Sequence, residues 1–159
     1  MADDTGSDPS VRRAVPADRT SLEPLQRHLD EPAPALLDAA LSGVVGSLFV
    51  AVSDGPVGYL LAVDGPPSEV DPTRSIDGPT THVAELVVAP SARREGHASA
   101  LLATLLSRRP TATLTLTVAE DNTAARRLYD SFGFEVERRL PDFFDDGPGL
   151  LLVRRPRSE

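Results

Sequence analysis

Residues 82–98 read His82-Val83-Ala84-Glu85-Leu86-Val87-Val88-Ala89-Pro90-Ser91-Ala92-Arg93-Arg94-Glu95-Gly96-His97-Ala98. The first part, His82 to Ala89, is a strand-forming run stopped by Pro90, with His82, Ala84, Leu86 and Val88 on one face and Val83, Glu85, Val87 and Ala89 on the other. Its composition predicts burial on both faces. Ser91 to His97 is an arginine-rich turn with one glycine, and it opens onto Ala98, Leu101, Leu102, Leu105 and Leu106, the i, i+3, i+4, i+7, i+8 series of an amphipathic helix. A strand, turn and helix in this order aim consecutive backbone N–H groups at one point, where the helix dipole also draws negative charge. Gly96 lets the backbone come close to an anion, and Arg93 and Arg94 put positive charge there. The segment suits a pyrophosphate, and it is equally the start of an ordinary helix with solvated arginines.

Outward from this segment, periodicity and turn residues supply the remaining elements. Val11 to Ala14 reads as a short strand before Pro16, Asp18 to Leu29 as a helix carrying Leu22, Leu25 and Leu29, and Ala33 to Leu41 as a second helix beyond Pro32. Leu48 to Ser53 and Val57 to Val63 form a hairpin through Asp54, Gly55 and Pro56. Asp64 to Thr81, rich in Pro and Gly, reads as a long exposed loop, a solvated excursion or a cover over an acceptor site using Asp71, Arg74 or Asp77. Downstream, Leu114, Leu116 and Val118 alternate with Thr113, Thr115 and Thr117 in a strand. A helix follows, capped by Asp121 or Asn122, with Ala125, Leu128, Tyr129 and Phe132 as its apolar stripe and Gly133 as its stop. Strands near Glu135 to Leu140 and Leu150 to Arg154 close the chain.

The length of 159 residues and the 40% hydrophobic content fit one domain over residues 10–156 after a disordered tail over residues 1–9. With aromatics at 4%, small aliphatic side chains must fill the core. A formal charge of −8 opposes nonspecific attraction to nucleic acid. All 16 basic Lys+Arg residues are arginine. Acidity and the all-arginine complement are read as marks of a high-GC genome and a salt-rich cytoplasm, which stability against KCl tests. The chain has no Cys, which excludes disulfides, thiolate metal sites and a cysteine nucleophile. Met1 to Pro9 lacks the basic and apolar segments of a signal peptide, and no stretch is long enough to span a membrane, so a cytoplasmic location with no membrane partner is expected.

The strand-turn-helix, together with Asn122-Thr123-Ala124-Ala125-Arg126-Arg127-Leu128-Tyr129 and Gly133-Phe134, resembles the GNAT superfamily. Arg93-Arg94-Glu95-Gly96-His97-Ala98 fits that family's pattern of Arg or Gln, two residues, Gly, any residue, then Gly or Ala. The resemblance implies an α/β (α+β) GNAT fold. Its central sheet is mixed and mostly antiparallel, of about six to seven strands, with helices on both faces and a splayed pair of central parallel strands. It also implies an acetyl-CoA-dependent N-acetyltransferase without a metal, most like the protein N-terminal acetyltransferases, including the ribosomal-protein alanine acetyltransferases. The implied cofactor contacts are Leu86, Val87, Val88, Arg93, Arg94, Glu95, Gly96, His97, Ala98, Ser99, Asn122 and Ala125.

In the implied mechanism a neutral amine attacks the thioester, amides of the Leu86 to Val88 strand stabilise the carbonyl oxygen, and Tyr129 protonates the departing sulfur. Tyr129 is otherwise a core aromatic. Where relatives often carry Glu or His as base, this chain has Thr117. His82 falls where others place Glu or Tyr, and a neutral imidazole there can take a proton directly or through water. Glu85 competes for that role from the opposite strand face. Glu85, Thr117, Phe143 and Phe144 are the expected acceptor contacts. The relatives' late loop carries paired tyrosines, whereas Pro141-Asp142-Phe143-Phe144-Asp145-Asp146-Gly147 lacks both hydroxyls.

Protonation favours an α-amine as acceptor. A lysine amine of pKa about 10.4 is neutral in roughly one molecule in 2,500 at pH 7, against roughly one in seven for an α-amine near 7.8, a difference of about 3.5 kcal/mol. A small-molecule amine acetyltransferase and a noncatalytic acetyl-CoA sensor or interaction module are the competing readings. A monomer or a homodimer fits either.

Overall fold

The computed structural model describes residues 10–29, 32–44, 46–65, 79–144 and 147–156. The expected tail over 1–9 and the interior of the expected 64–81 loop, with Asp71, Arg74 and Asp77, lie outside the described residues.

A mostly antiparallel sheet of seven strands forms, as the resemblance implied, and with the strands numbered along the chain its spatial order is β1-β2-β3-β4-β5-β7-β6. They are β1 (Ser10–Arg13), β2 (Ser47–Val52), β3 (Pro56–Asp64), β4 (Thr80–Val88), β5 (Thr113–Ala119), β6 (Glu135–Phe144) and β7 (Gly147–Arg154). The helices are α1 (Arg19–Gln26), α2 (Pro34–Leu41), α3 (His97–Arg108) and α4 (Thr123–Ser131). The chain clusters into two compact units, Met1–Ala62 with Glu85–Arg108 and Val63–Ala84 with Arg109–Glu159.

In the first unit, β1 pairs antiparallel with β2 from Ser10↔Val52 to Arg13↔Phe49, and β2 pairs antiparallel with β3 from Ser47↔Ala62 to Val52↔Pro56. The expected hairpin turn forms at Asp54 and Gly55, both with positive φ. α3 packs on β1 and β2 with Leu101, Leu102 and Leu105 buried. Leu22, Leu37, Phe49, Leu60 and Leu61 complete a mainly aliphatic core. The Phe49 ring is flanked by the guanidiniums of Arg13 and Arg108 at 5.7 and 5.4 Å. α1 stops at Gln26, short of the expected Leu29. Arg27, His28 and Leu29 donate to carbonyls three residues back, so the helix tapers into tight turns.

In the second unit, β4 and β5 pair in parallel from Thr80↔Thr113 to His82↔Thr115, and β7 joins β5 and β6 antiparallel. Leu114, Leu116 and Val118 of β5 are buried, as are Leu150 and Leu152 of β7.

Three expectations are corrected. Thr80 and Thr81 are strand residues, and Thr81 Oγ1 donates to Asp64 Oδ1 at 2.8 Å, so the connection after β3 is shorter than 64–81. Along β4 the odd positions Thr81, Val83, Glu85 and Val87 are buried while His82, Ala84, Leu86 and Val88 are half-buried, so only one face is fully covered. In α4 only Tyr129 of the expected stripe is buried, with Ala125, Leu128 and Phe132 partly exposed.

Candidate active site

β4 ends in a tightly held turn. Ala89 N–H donates to Val57 O at 2.7 Å, Pro90–Ala92 form one 3₁₀ turn, and Arg93 Nε donates back to Val88 O at 3.2 Å. Arg94 and Gly96 both adopt left-handed backbone, with φ of 68° and 85°. Glycine takes this conformation at no steric cost, whereas arginine does not. Gly96 O accepts the first α3 bond, from Ala100 N at 3.0 Å. The N–H groups of His97, Ala98 and Ser99 therefore sit in the first turn of a 12-residue helix, where helical geometry supplies no carbonyl partner. This is the helix end at which the sequence leads one to expect an anion.

His97, in that first turn, is 4% exposed. Its Nε2 lies 3.1 Å from Glu95 Oε1, and its Nδ1 has no partner among the described residues. The imidazole is thus packed under the turn.

Glu85, one of the expected acceptor contacts, is held inside the first unit at 3% exposure. Its carboxylate accepts from Tyr59 Oη at 2.7 Å, from Gln26 Nε2 at 3.1 and 3.2 Å, and from Ala33 N at 2.7 Å. These donors come from β3, the end of α1 and the residue before α2. Burial and then the Glu85 carboxylate push the Tyr59 phenol well above its ordinary value. Sequence reasoning missed Tyr59 and Gln26, although a tyrosine within the apolar run Val57 to Val63 signals a buried hydroxyl that needs a partner.

The second unit holds the other expected residues. His82 Nδ1 lies 2.9 Å from Thr115 Oγ1. Thr117 Oγ1 is buried with no partner among the described residues. Asn122 caps α4, its Oδ1 accepting from Ala125 N at 3.1 Å, and Gly133 ends the helix region with φ 89°, both as expected. Tyr129 is 8% exposed and stands edge-on to Phe134, ring centroids 5.7 Å apart. Burial pushes its phenol up to about 12.

The stretch read as a late loop is largely strand. Pro141, Asp142, Phe143 and Phe144 continue β6, which shifts register against β7 between Leu140↔Gly149 and Phe144↔Gly147. Asp145 and Asp146 lie outside the described residues. Phe143 and Phe144 pack edge to face at 4.8 Å. They lie over Gly149, where a Cβ would stand 3.1 to 3.3 Å from both rings. Among the described residues no cluster of three or more His, Asp or Glu is placed to hold a metal, and no helix is long and apolar enough to cross a membrane.

Residues 15–134 match the acetyltransferase (GNAT) family, a span that takes in both motifs. No curated protein matches the chain. Among solved structures, it is similar to NAA60 of Arabidopsis thaliana in complex with a bisubstrate analogue, at 21% identity and TM-score 0.82, covering 96% of this chain and 100% of that one. It is similar to Ard1 of Thermoplasma volcanium, at 23% identity and TM-score 0.74, covering 94% and 99%. It is also similar to the ribosomal-protein-S18-alanine N-acetyltransferase of Escherichia coli, at 18% identity and TM-score 0.74, covering 96% and 97%. At these identities the likenesses establish the fold. With the family match spanning strand, turn, helix and the Asn122–Tyr129 motif, the chain belongs to the acetyltransferase (GNAT) family and is an acetyl-CoA-dependent acyltransferase.

Proposed function

We propose that the protein transfers acetyl from acetyl-CoA to the α-amine of a protein N-terminus, working as one acetyltransferase domain over residues 10–156. The observation that carries the choice of acceptor is the state of Glu85. Its carboxylate is already the acceptor for Tyr59, Gln26 and Ala33. A carboxylate so engaged is poorly suited to deprotonate a lysine ammonium. An α-amine, neutral in roughly one molecule in seven at pH 7, needs no strong base. The likeness in fold to a ribosomal-protein alanine N-acetyltransferase points the same way.

In this reading the first-turn amides of α3 and the Arg93–Ala98 turn hold the pyrophosphate of acetyl-CoA, and the Leu86–Val88 amides receive the thioester carbonyl. Ser99, Asn122 and Ala125 complete the cofactor contacts. The amine nitrogen bonds to the carbonyl carbon, the carbon–sulfur bond breaks, the amine loses one proton and the sulfur gains one. Tyr129 is the donor to sulfur. With its phenol at about 12 it holds its proton at neutral pH. Full transfer to a thiolate of pKa about 8.5 would be uphill by roughly 3.5 pK units, so its main contribution is a hydrogen bond to the developing thiolate. His82 is the second catalytic residue, and Thr117, Phe143 and Phe144 line the acceptor side. The phenylalanine pair offers an apolar wall in place of the relatives' tyrosine hydroxyls.

We place the protein in the cytoplasm, with no nucleic-acid or membrane partner. Thioester turnover assayed over a panel of N-terminal peptides, lysine peptides and small amines tests the reading. The expected result is turnover on free α-amines and little on lysine. Cosubstrate binding with no turnover on any acceptor replaces the reading with a sensor role.

A further inference from the structure

Among the described residues, Asp54 and Arg94 adopt positive φ without being glycine. Aspartate tolerates left-handed backbone in a turn, whereas an arginine at φ 68° is strained there. Arg94 is bracketed by two side-chain bonds. Before it, the Arg93 guanidinium is pinned to the end of β4, Nε donating to Val88 O at 3.2 Å. After it, Glu95 Oε1 lies 3.1 Å from His97 Nε2, and because a carboxylate only accepts, the ring nitrogen is the donor. The other ring nitrogen, Nδ1, is buried with no partner among the described residues. An aliphatic side chain would fill this buried position without a polar atom to satisfy, so packing alone does not account for an imidazole. What the histidine adds is its bond to Glu95.

We propose that Glu95 and His97 form a clasp that keeps Arg94 left-handed before any ligand arrives, so that the turn meets the diphosphate of acetyl-CoA already ordered. Both are positioning residues in this role, acting through the backbone of residue 94. The inference rests on the reading of this turn as the pyrophosphate site. With the clasp open, the turn relaxes toward negative φ at Arg94, and the apparent affinity falls by the fraction of molecules that keep the competent form. The clasp also explains an acidic residue in a turn read as binding an anion. Glu95 is exposed, and its charge by itself opposes a phosphate. Clasp and charge therefore predict opposite signs for the loss of this side chain.

The test is calorimetry of the full chain with coenzyme A. Charge alone predicts that Glu95→Ala tightens binding, whereas the clasp predicts a Kd raised by roughly threefold to tenfold, the worth of one hydrogen bond. Glu95→Gln removes the charge and keeps an acceptor oxygen, and is expected to bind at least as tightly as wild type. In an Arg94→Gly background the left-handed form needs no support, so adding Glu95→Ala is expected to change Kd by less than about twofold. Positions 94 and 95 are both exposed, so these variants leave the core intact. Tighter or unchanged binding by Glu95→Ala, an equal loss in Glu95→Gln, or an undiminished loss on the glycine background each overturns the proposal. A second arm needs no ligand. Backbone chemical shifts of Arg94 in the free protein are expected to report positive φ in wild type and to move toward negative φ in Glu95→Ala. An Arg94 that stays left-handed in that variant overturns the proposal. A wild-type chain that binds no coenzyme A counts against the acetyltransferase reading alone, with the clasp still decided by these shifts.

Discussion

Tyr59 of β3 donates a 2.7 Å hydrogen bond to Glu85 of β4, and the two are 0% and 3% exposed. A buried carboxylate persists only where donors surround it, and here Gln26 and Ala33 supply the remaining ones. The pair therefore ties the end of α1 and the start of α2 to two strands. Tyr59→Phe keeps the ring and removes one donor, and is expected to cost about 1–3 kcal/mol in urea unfolding. Glu85→Gln sets an amide N–H₂ against donors on Gln26 and Ala33 and should cost at least as much. A Glu85→Gln protein of unchanged stability would show that these bonds do not hold the α1–α2 region.

Tyr129→Phe preserves the edge-on contact with Phe134 and removes only the hydroxyl. The expected outcome is a kcat lower by roughly 10²-fold with acetyl-CoA affinity within about threefold, measured by thioester turnover and calorimetry. The same substitution has a signature in stability. Burial raises the phenol from 10.0 to about 12, so the folded state holds a proton that the unfolded state loses first. That contribution is complete below pH 10 and disappears as pH rises from about 10 to about 12. Wild-type protein should lose stability over this alkaline window more steeply than Tyr129→Phe.

Asp18 behaves in the opposite sense. Arg12 donates to both its carboxylate oxygens at 2.8 Å and Val15 N–H to one of them, also at 2.8 Å, and these bonds, the Arg12 pair first, hold its pKa below the ordinary 3.8. Stability from this group is present above about pH 4 and is lost as pH falls through the lowered folded value. Urea midpoints taken from pH 6 down to pH 2 should fall more in the wild type than in Asp18→Asn.

Gly58 faces the strand end that the proposed chemistry uses. A Cβ there would stand 2.7 Å from Val87 O and 3.1 Å from Val88 Cγ2. Because the first of these is backbone, the strand itself must move. Gly58→Ala should cost about 1–3 kcal/mol by overpacking and raise the KM for acetyl-CoA, with the KM for the acceptor changing less. An unaltered cosubstrate KM in a folded variant would argue against the Leu86–Val88 amides as thioester contacts.

Much of this architecture was legible because local chemistry and tertiary packing agree. The run from His82 to Leu106 changes from strand to helix periodicity across Pro90 and Gly96, and the Asn122 cap and Gly133 stop carry their own mechanisms. The hydrogen bonds of Glu85 were not legible because its partners come from positions 26, 33 and 59, which no local pattern links to it. Pro141 to Phe144 read as a loop because Pro and Asp suggest a turn. β6 lies at the end of the strand order, and an edge strand tolerates a proline and a register shift that an inner strand would not. The α4 stripe was overestimated because periodicity shows which residues share a face, and cannot show how deeply that face is covered.

Gly149 leaves no slack beneath the edge-to-face pair of Phe143 and Phe144. A programme of directed evolution aimed at new acceptors would therefore do well to randomise positions 143 and 144 while fixing 149. Any larger residue there would tilt both rings together and confound every library member with the same displacement.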